Sequence, residues 1–154
     1  MTVIVDVQIA YEGDVPSTDQ IKLWVEAALQ DVKEDCELSI RLVEEQESAE
    51  LNATYRGKTG PTNVLSFPFD SPIVLDPRLL GDLIICAPVV EQEAQQQHKK
   101  NHHHWTHMVV HGCLHLLGYD HLEEDEAEAM EALEIKILQS LDIDNPYQIK
   151  GENI

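Results

Sequence analysis

The sequence predicts an α/β (α+β) protein in which a small mixed sheet of about four strands packs with about five helices. Four short segments are rich in β-forming residues, and two of them alternate apolar and polar side chains with the period of a strand. Five other segments carry apolar residues at helical spacing. Their order, β-α-β-α-β-β followed by three helices, favours a small sheet under helices.

The N-terminal part of the chain predicts one strand and one helix. Apolar residues alternate with polar ones over residues 3–9, as in a strand. Ser17 is followed three residues later by Gln20, which is the pattern of a capping box at a helix start. Because apolar residues then recur at helical spacing, we predict a helix over about residues 17–33.

The middle of the chain predicts three further strands and a short helix. Apolar residues alternate again over residues 38–42, which predicts the second strand. A short helix is predicted over about 46–55, with Gly57 in the usual place for a C-terminal cap. The β-rich segments 62–69 and 79–86 predict the third and fourth strands, with a proline-containing loop between them.

The C-terminal part predicts three helices. Two cover about residues 88–98 and 103–117, and the last begins after His121 and continues to about residue 140. The predicted buried stripe of the last helix consists of Leu122, Met130, Leu133, Ile137, Leu138 and Leu141. Its outer face is predicted to be acidic and solvated, with Glu123, Glu124, Asp125, Glu126, Glu128, Glu131 and Glu134.

Length and composition indicate one globular domain that spans residues 1–154. Ten Lys and Arg face 29 Asp and Glu, which gives a formal net charge of −19. This charge argues against broad binding to DNA, other nucleic acids or anionic membranes. No apolar run approaches the ~18 residues of a membrane span, and no signal peptide is recognisable, so we expect a cytoplasmic protein.

The segment HGCLHLLGYDH, residues 111–121, carries a candidate metal site. His111 and His115 are four residues apart and therefore share one helix face. Gly118 allows the chain to leave the helix, and His121 follows on the turn as a third ligand. Three protein ligands with an open fourth position are typical of catalytic zinc. We therefore predict one zinc ion per chain, bound by these three histidines.

Other histidines are predicted not to bind this ion. His107 lies in the same helical column, but its Cα and that of His115 would be ~12 Å apart. Zinc–nitrogen bonds are only about 2.0–2.1 Å long, so a rigid helix cannot easily bring both ends onto one ion. A polar stretch beside two lysines contains four more histidines that we expect to be exposed, namely His98, His102, His103 and His104. The alternative for these four is adventitious metal binding or contact with phosphate.

The same segment matches the zinc ligands and turn glycine of H-E-x-x-H-x-x-G-x-x-H, the pattern of metzincin proteases. Gly112, however, stands where those enzymes have their glutamate general base. General acid–base catalysis contributes roughly 10²–10⁴-fold to such reactions. The sequence therefore predicts a metzincin-like zinc helix without the chemistry of a peptidase.

HGCLHLLGYDH also closely resembles the signature of the YbeY endoribonucleases, which are bacterial ribosomal-RNA maturation factors. The resemblance extends through YRGKTGPTNVLSFPF (55–69), LLGDLIIC (79–86) and EEDEAEAM (123–130), and it covers about residues 50–140. It implies a zinc-dependent endoribonuclease that prefers single-stranded RNA. It also implies a role in 16S rRNA maturation at the 3′ end and in ribosome quality control. The implied partners are the small ribosomal subunit and its associated assembly factors.

Carried over by position, the resemblance makes His111, His115 and His121 the metal ligands and Arg56 the catalytic or substrate-binding cation. Arg56 also suits this role chemically, because a guanidinium offers a planar fork of donors to a phosphate ester. The alternative is that Arg56 is only a surface charge at a helix end.

Lysines near Arg56 and before the zinc helix could line one basic cleft of an acidic body, namely Lys58, Lys99 and Lys100. Binding through so few cations would be weak for naked RNA. A ribosomal partner would then supply much of the positioning.

Several points of mechanism stay open. Zinc would lower the pKa of bound water toward ~7 and polarise a phosphoryl oxygen. Asp120 could accept the proton, or it could hold an imidazole in place. The nucleophile could be water or a ribose 2′-hydroxyl.

Two other functions compete with the ribonuclease. A zinc-dependent peptidase or amidase is disfavoured by Gly112. A non-catalytic ribosome-assembly factor with a structural zinc is disfavoured because no fourth protein ligand is evident. Cys113 points off the histidine face, and the three cysteines are expected to be reduced and mostly buried.

Overall fold

The computed structural model describes residues 2–70, 73, 75–120 and 123–147. Its elements in chain order are β1 (Val3–Ile9), α1 (Thr18–Ala28), β2 (Cys36–Val43), α2 (Glu45–Arg56), β3 (Val64–Pro68), β4 (Arg78–Cys86), α3 (Ala87–Gln96), α4 (Asn101–Leu116) and α5 (Glu124–Ser140). The prediction of an α/β (α+β) fold with about four strands and five helices is therefore confirmed.

The strands form one mixed sheet in the order β1-β2-β4-β3. β1 and β2 are parallel, β2 and β4 are parallel, and β3 runs antiparallel to β4. Parallel neighbours require long crossover connections. α1 provides the first crossover, and α2 together with β3 lies in the second. Within the described residues β3 pairs with β4 alone, so β3 forms an edge of the sheet.

The hydrophobic core lies between one face of the sheet and the helices. Alternate residues of β2 are buried there, namely Cys36, Leu38, Ile40 and Leu42. α4 is the central helix, because it packs against β3, β4, α1, α3 and α5. All three cysteines are buried and free, as predicted. None of the helices within the described ranges is long and apolar enough to cross a membrane.

The ends of α1 and α2 follow from local capping. The Ser17 hydroxyl accepts a hydrogen bond from the Gln20 backbone at 3.2 Å, which confirms the predicted capping box. α1 ends at Ala28 rather than near residue 33. A turn with a hydrogen bond from the Val32 amide to the Leu29 carbonyl follows, and Val32 packs against the core from there. α2 ends where predicted, at Gly57, whose φ of 65° lies in the left-handed region that glycine tolerates best.

A close contact between Gly112 of α4 and Leu83 of β4 sets the distance between this helix and the sheet. A Cβ atom added to Gly112 would lie 2.8 Å from Leu83 Cδ2, which is too close for unstrained packing. Leu83 is fully buried, so its side chain has little room to move away. Glycine at position 112 therefore allows α4 to lie close to β4.

Candidate metal centre

Two histidines of α4 face each other one helical turn apart. His111 Nε2 and His115 Nε2 are 3.1 Å apart, and the ring centroids are separated by 4.6 Å. Two nitrogen ligands on one tetrahedral zinc ion, each at about 2.0–2.1 Å, would be ~3.3 Å apart. The spacing of the two Nε2 atoms therefore fits two ligands of one ion.

The other ring nitrogen of each histidine has a hydrogen-bond acceptor. His111 Nδ1 lies 2.7 Å from Glu134 Oε1, and His115 Nδ1 lies 2.9 Å from the carbonyl oxygen of Tyr119. Each acceptor favours the tautomer with the proton on Nδ1, which leaves the lone pair on Nε2. Metal-binding histidines are usually oriented by a carboxylate or a backbone carbonyl in this way. The two Nε2 atoms, with their lone pairs free of the proton, therefore fit zinc as nitrogen ligands.

Glu134 is the carboxylate that organises this centre. It is 0% exposed, and it accepts hydrogen bonds from His111 Nδ1, from His107 Nε2 at 2.8 Å, and from the Tyr147 hydroxyl. Burial would raise the pKa of Glu134, but the hydrogen bonds from the two histidines and Tyr147 outweigh this effect and lower the pKa to about 2. Glu134 is therefore ionised at neutral pH although it is buried.

His107 belongs to this hydrogen-bonded group. Its side chain is almost fully buried, and burial lowers the pKa of His107, with Glu134 offsetting part of the shift. His107, His111 and Glu134 offer ligand atoms within 4.8 Å of one another, so this group could also hold a metal ion. The Glu134 carboxylate, however, lies 2.7 Å from His111 Nδ1 and 2.8 Å from His107 Nε2, and these are the distances of charge-assisted hydrogen bonds. They favour Glu134 as a hydrogen-bond acceptor rather than as a metal ligand.

The third predicted ligand, His121, lies outside the described residues. The turn that leads to it is described as far as Asp120. α4 ends at Leu116, and Gly118 has a φ of 104°, so the chain leaves the helix at the glycine that the sequence singled out. The position of His121 as a ligand thus stays a prediction.

The histidine pair lines an open cleft of about 770 Å³. His111 and His115 contribute to it from α4, together with residues 118–120 of the following turn. The other lining residues are 55–56 at the end of α2 and 63–68 along β3. Arg56 is the only Arg or Lys that lines the cleft within the described part of the chain. The cleft therefore brings one permanent cation to the same space as the histidine pair.

Buried polar residues of α2 fix the loop that follows Arg56. The Ser48 hydroxyl donates to the Thr62 carbonyl at 3.1 Å and accepts from the Thr62 amide at 3.0 Å. Asn52 Nδ2 donates to the carbonyl of Gly60 at 2.8 Å. These bonds join α2 to the loop that leads into β3. They therefore hold the end of α2 and β3, which both line the cleft, in fixed positions relative to each other.

The fold and the histidine pair can be set beside those of a known protein family. The model described as "Endoribonuclease YbeY" matches residues 8–142, which is well over half of the chain. The chain belongs to the YbeY endoribonuclease family. Membership in the YbeY family supports an endoribonuclease role in rRNA processing.

A solved structure with the same fold extends this comparison. The solution structure of TM1509 from Thermotoga maritima is 25% identical to the chain, with a TM-score of 0.57. The alignment covers 95% of this chain and 98% of TM1509. The YbeY match and this similarity agree on one fold across nearly the whole chain.

Two sequence predictions about polar residues near the YbeY signature are wrong. The sequence places Glu134 on the solvated face of the last helix, whereas it is buried beneath His111. The sequence places His104 at the surface, whereas it is 2% exposed and hydrogen-bonded through Nε2 to Glu93 at 2.9 Å. Glu93 also accepts from Asn63 Nδ2, so this second carboxylate links α3 and α4 to the start of β3.

Proposed function

We propose that the protein is a zinc-dependent endoribonuclease that prefers single-stranded RNA and matures the 3′ end of 16S rRNA in the cytoplasm. A part in ribosome quality control belongs to the same proposal. The observation that carries it is the pair of Nε2 atoms, 3.1 Å apart, in a cleft that Arg56 also lines. Membership in the YbeY family supports the nuclease class.

His111, His115 and His121 would hold one zinc ion, with the fourth position open to water or substrate. Zinc bound there would supply Lewis acidity toward a phosphoryl oxygen and would lower the pKa of water. Glu134 would orient His111 through Nδ1, and the Tyr119 carbonyl would orient His115 in the same way. The chain thus has two histidines already set in the orientation that binding requires.

Arg56 would bind the phosphate on which charge develops. It is exposed at the end of α2 and lines the cleft with the histidine pair. A guanidinium can donate two parallel hydrogen bonds to a phosphoryl group, which both orients the group and stabilises its charge.

Asp120 is the candidate proton acceptor. Within the described residues it is the only carboxylate that lines the cleft. It directly precedes His121, so it could instead orient that imidazole. The nucleophile that would lose the proton is either water or a ribose 2′-hydroxyl.

The small ribosomal subunit and its assembly factors are the proposed partners. With a net charge of −19 and one Arg or Lys in the described cleft lining, the protein would bind naked RNA weakly. A docked ribosomal particle would supply the missing affinity and select the cleavage position. No attachment to DNA or to membranes is proposed.

A zinc peptidase is disfavoured by the position of Gly112. A glutamate there would start with its Cβ against the buried Leu83, so it could not replace glycine without moving the core. A purely structural zinc is disfavoured because Cys113 is fully buried in the core, where burial raises the pKa of its thiol to about 12. Cys113 is therefore not available as a fourth ligand.

The test measures zinc content and cleavage on the same preparations. Wild type should carry about one zinc per chain, cut single-stranded RNA, lose this activity to a chelator and leave casein intact. His115→Ala should lose both zinc and cleavage. The matched control is His98→Asn, because His98 is exposed and its φ of 55° suits asparagine. Chelator-sensitive proteolysis without RNA cleavage would instead support the peptidase.

A further inference from the structure

We propose that Tyr55 and Phe67 form a stacking site for one unpaired base of single-stranded RNA, beside the histidine pair. This inference rests on the proposed function and deepens it. It assigns the preference for single strands to two side chains that the metal chemistry does not use.

Exposed Tyr55 and half-buried Phe67 form an aromatic pair in the cleft wall. Tyr55 and Phe67 both line the cleft, and their ring centroids lie 5.2 Å apart at an angle of 73°. The Tyr55 side chain is 64% exposed although it belongs to this concave site. An edge-to-face pair occupies only part of each ring surface, so an area of the Tyr55 ring remains open for offset stacking.

Neighbouring groups place this pair next to the phosphate-binding chemistry. Tyr55 directly precedes Arg56 in the last turn of α2, and both line the cleft with His111 and His115. A strand whose phosphate contacts Arg56 would bring an adjacent base into reach of the aromatic pair. Phe67 lies on β3, which Ser48 and Asn52 of α2 hold in place through the intervening loop.

The electrostatics of the chain favour an uncharged contact with RNA. The net charge is −19, and Arg56 is the only Arg or Lys that lines the described cleft, so few phosphates can be neutralised there. Stacking on an aromatic ring adds affinity that does not depend on charge and that every base can provide. A base inside a duplex has both faces covered, so a stacking site selects unpaired RNA.

The experiment measures the affinity of zinc-loaded protein for a labelled single-stranded RNA of about 12 nucleotides. Tyr55→Ala should bind at least about tenfold more weakly, and by the same factor at low and high salt, because stacking releases few counterions. Tyr55→Trp should restore binding. Arg56→Gln should instead make the affinity for RNA less dependent on the salt concentration. The matched control is Phe69→Ala, since Phe69 is 49% exposed but lies outside the cleft lining.

A second arm tests the base itself. Moving a single abasic nucleotide along the RNA should reveal one position where wild type loses affinity, and this loss should vanish in Tyr55→Ala. Equal affinity of Tyr55→Ala and Phe69→Ala, or an abasic effect that persists without Tyr55, would overturn the stacking site alone. Failure of the zinc-loaded wild type both to bind and to cleave RNA would overturn the proposed function as well.

Discussion

His111 can present Nε2 to the cleft because Glu134 holds the other nitrogen of its ring. The 2.7 Å bond between His111 Nδ1 and Glu134 Oε1 fixes both the tautomer and the orientation of the ring. The same carboxylate is itself held by His107 and Tyr147. A buried anion with three donors is rigid, so the ligand that it orients is rigid as well.

Replacement of Glu134 by Gln should weaken zinc binding. The amide has one acceptor oxygen and no charge, so it cannot serve all three donors, and the loss of such a partner costs about 10–100-fold in metal affinity. Competition with a chromophoric chelator would measure the zinc affinity. Glu128→Gln is the control, because Glu128 is exposed on the same helix. Equal zinc affinities for the two variants would show that Glu134 does not support the metal site.

His107→Ala should keep its zinc, because His107 contacts Glu134 rather than the Nε2 pair. Some stability should be lost, since a buried ring is removed. Mass spectrometry of the bound metal would compare this variant with His115→Ala. If the two lose zinc equally, the ion is held by the group of His107, His111 and Glu134 instead.

Arg56→Glu should abolish most RNA cleavage while the protein stays folded and zinc-loaded. Arg56 is exposed, and exposed charge changes usually alter stability by no more than about 0.5 kcal/mol. Loss of a donor to a developing charge costs on the order of 10²–10³-fold in rate. Arg56→Lys should retain only part of the wild-type cleavage rate, because an ammonium cannot bind a phosphate bidentately. Wild-type cleavage by Arg56→Glu would make this residue a plain surface charge.

At the level of the elements, a second and partly buried network of hydrogen bonds joins α3, α4 and the start of β3. Glu93 of α3 accepts from His104 of α4 and from Asn63 at the start of β3. Partial burial would raise the pKa of Glu93. The hydrogen bonds from His104 and Asn63 outweigh this effect, so the pKa of Glu93 lies below the ordinary value of 4.5. The ionised carboxylate therefore stabilises the junction of three elements.

Glu93→Gln should make the stability of the protein less dependent on pH in the acid range. A carboxyl whose folded pKa is lowered stabilises the fold above its ordinary pKa, and this contribution disappears as the pH falls through the lowered value. Urea unfolding should therefore show the variant less stable than wild type at pH 7, with the difference shrinking below pH 4.5. A difference that stays constant down to acid pH would contradict the ionised role of Glu93.

At the scale of the whole molecule, the periodic features were predictable and the buried polar contacts were not. The strands, the capped start of α1 and the end of α2 at Gly57 follow from local patterns that the structure reproduces. The i, i+4 spacing likewise predicts that His111 and His115 share a face, as they do. Such features depend on residues close together in the chain.

Glu134 and His104 were misplaced because their partners are distant in sequence. Glu134 follows an acidic run, which made it look like part of a solvated face. It shares the register of Met130, Ile137 and Leu138, which are buried, and this register was the available signal. His104 offered no comparable signal, since its partner Glu93 belongs to another helix. Tertiary contacts of this kind cannot be read from periodicity alone.

We propose that RNA cleavage requires one zinc ion bound by the histidine pair of α4. The most direct measurement is a zinc titration of metal-free protein while the cleavage of a single-stranded RNA is followed. Cleavage should be absent at the start, rise in proportion to added zinc and level off at about one zinc per chain, whereas His115→Ala should stay inactive throughout. Cleavage by verified metal-free protein at the zinc-loaded rate would contradict the claim.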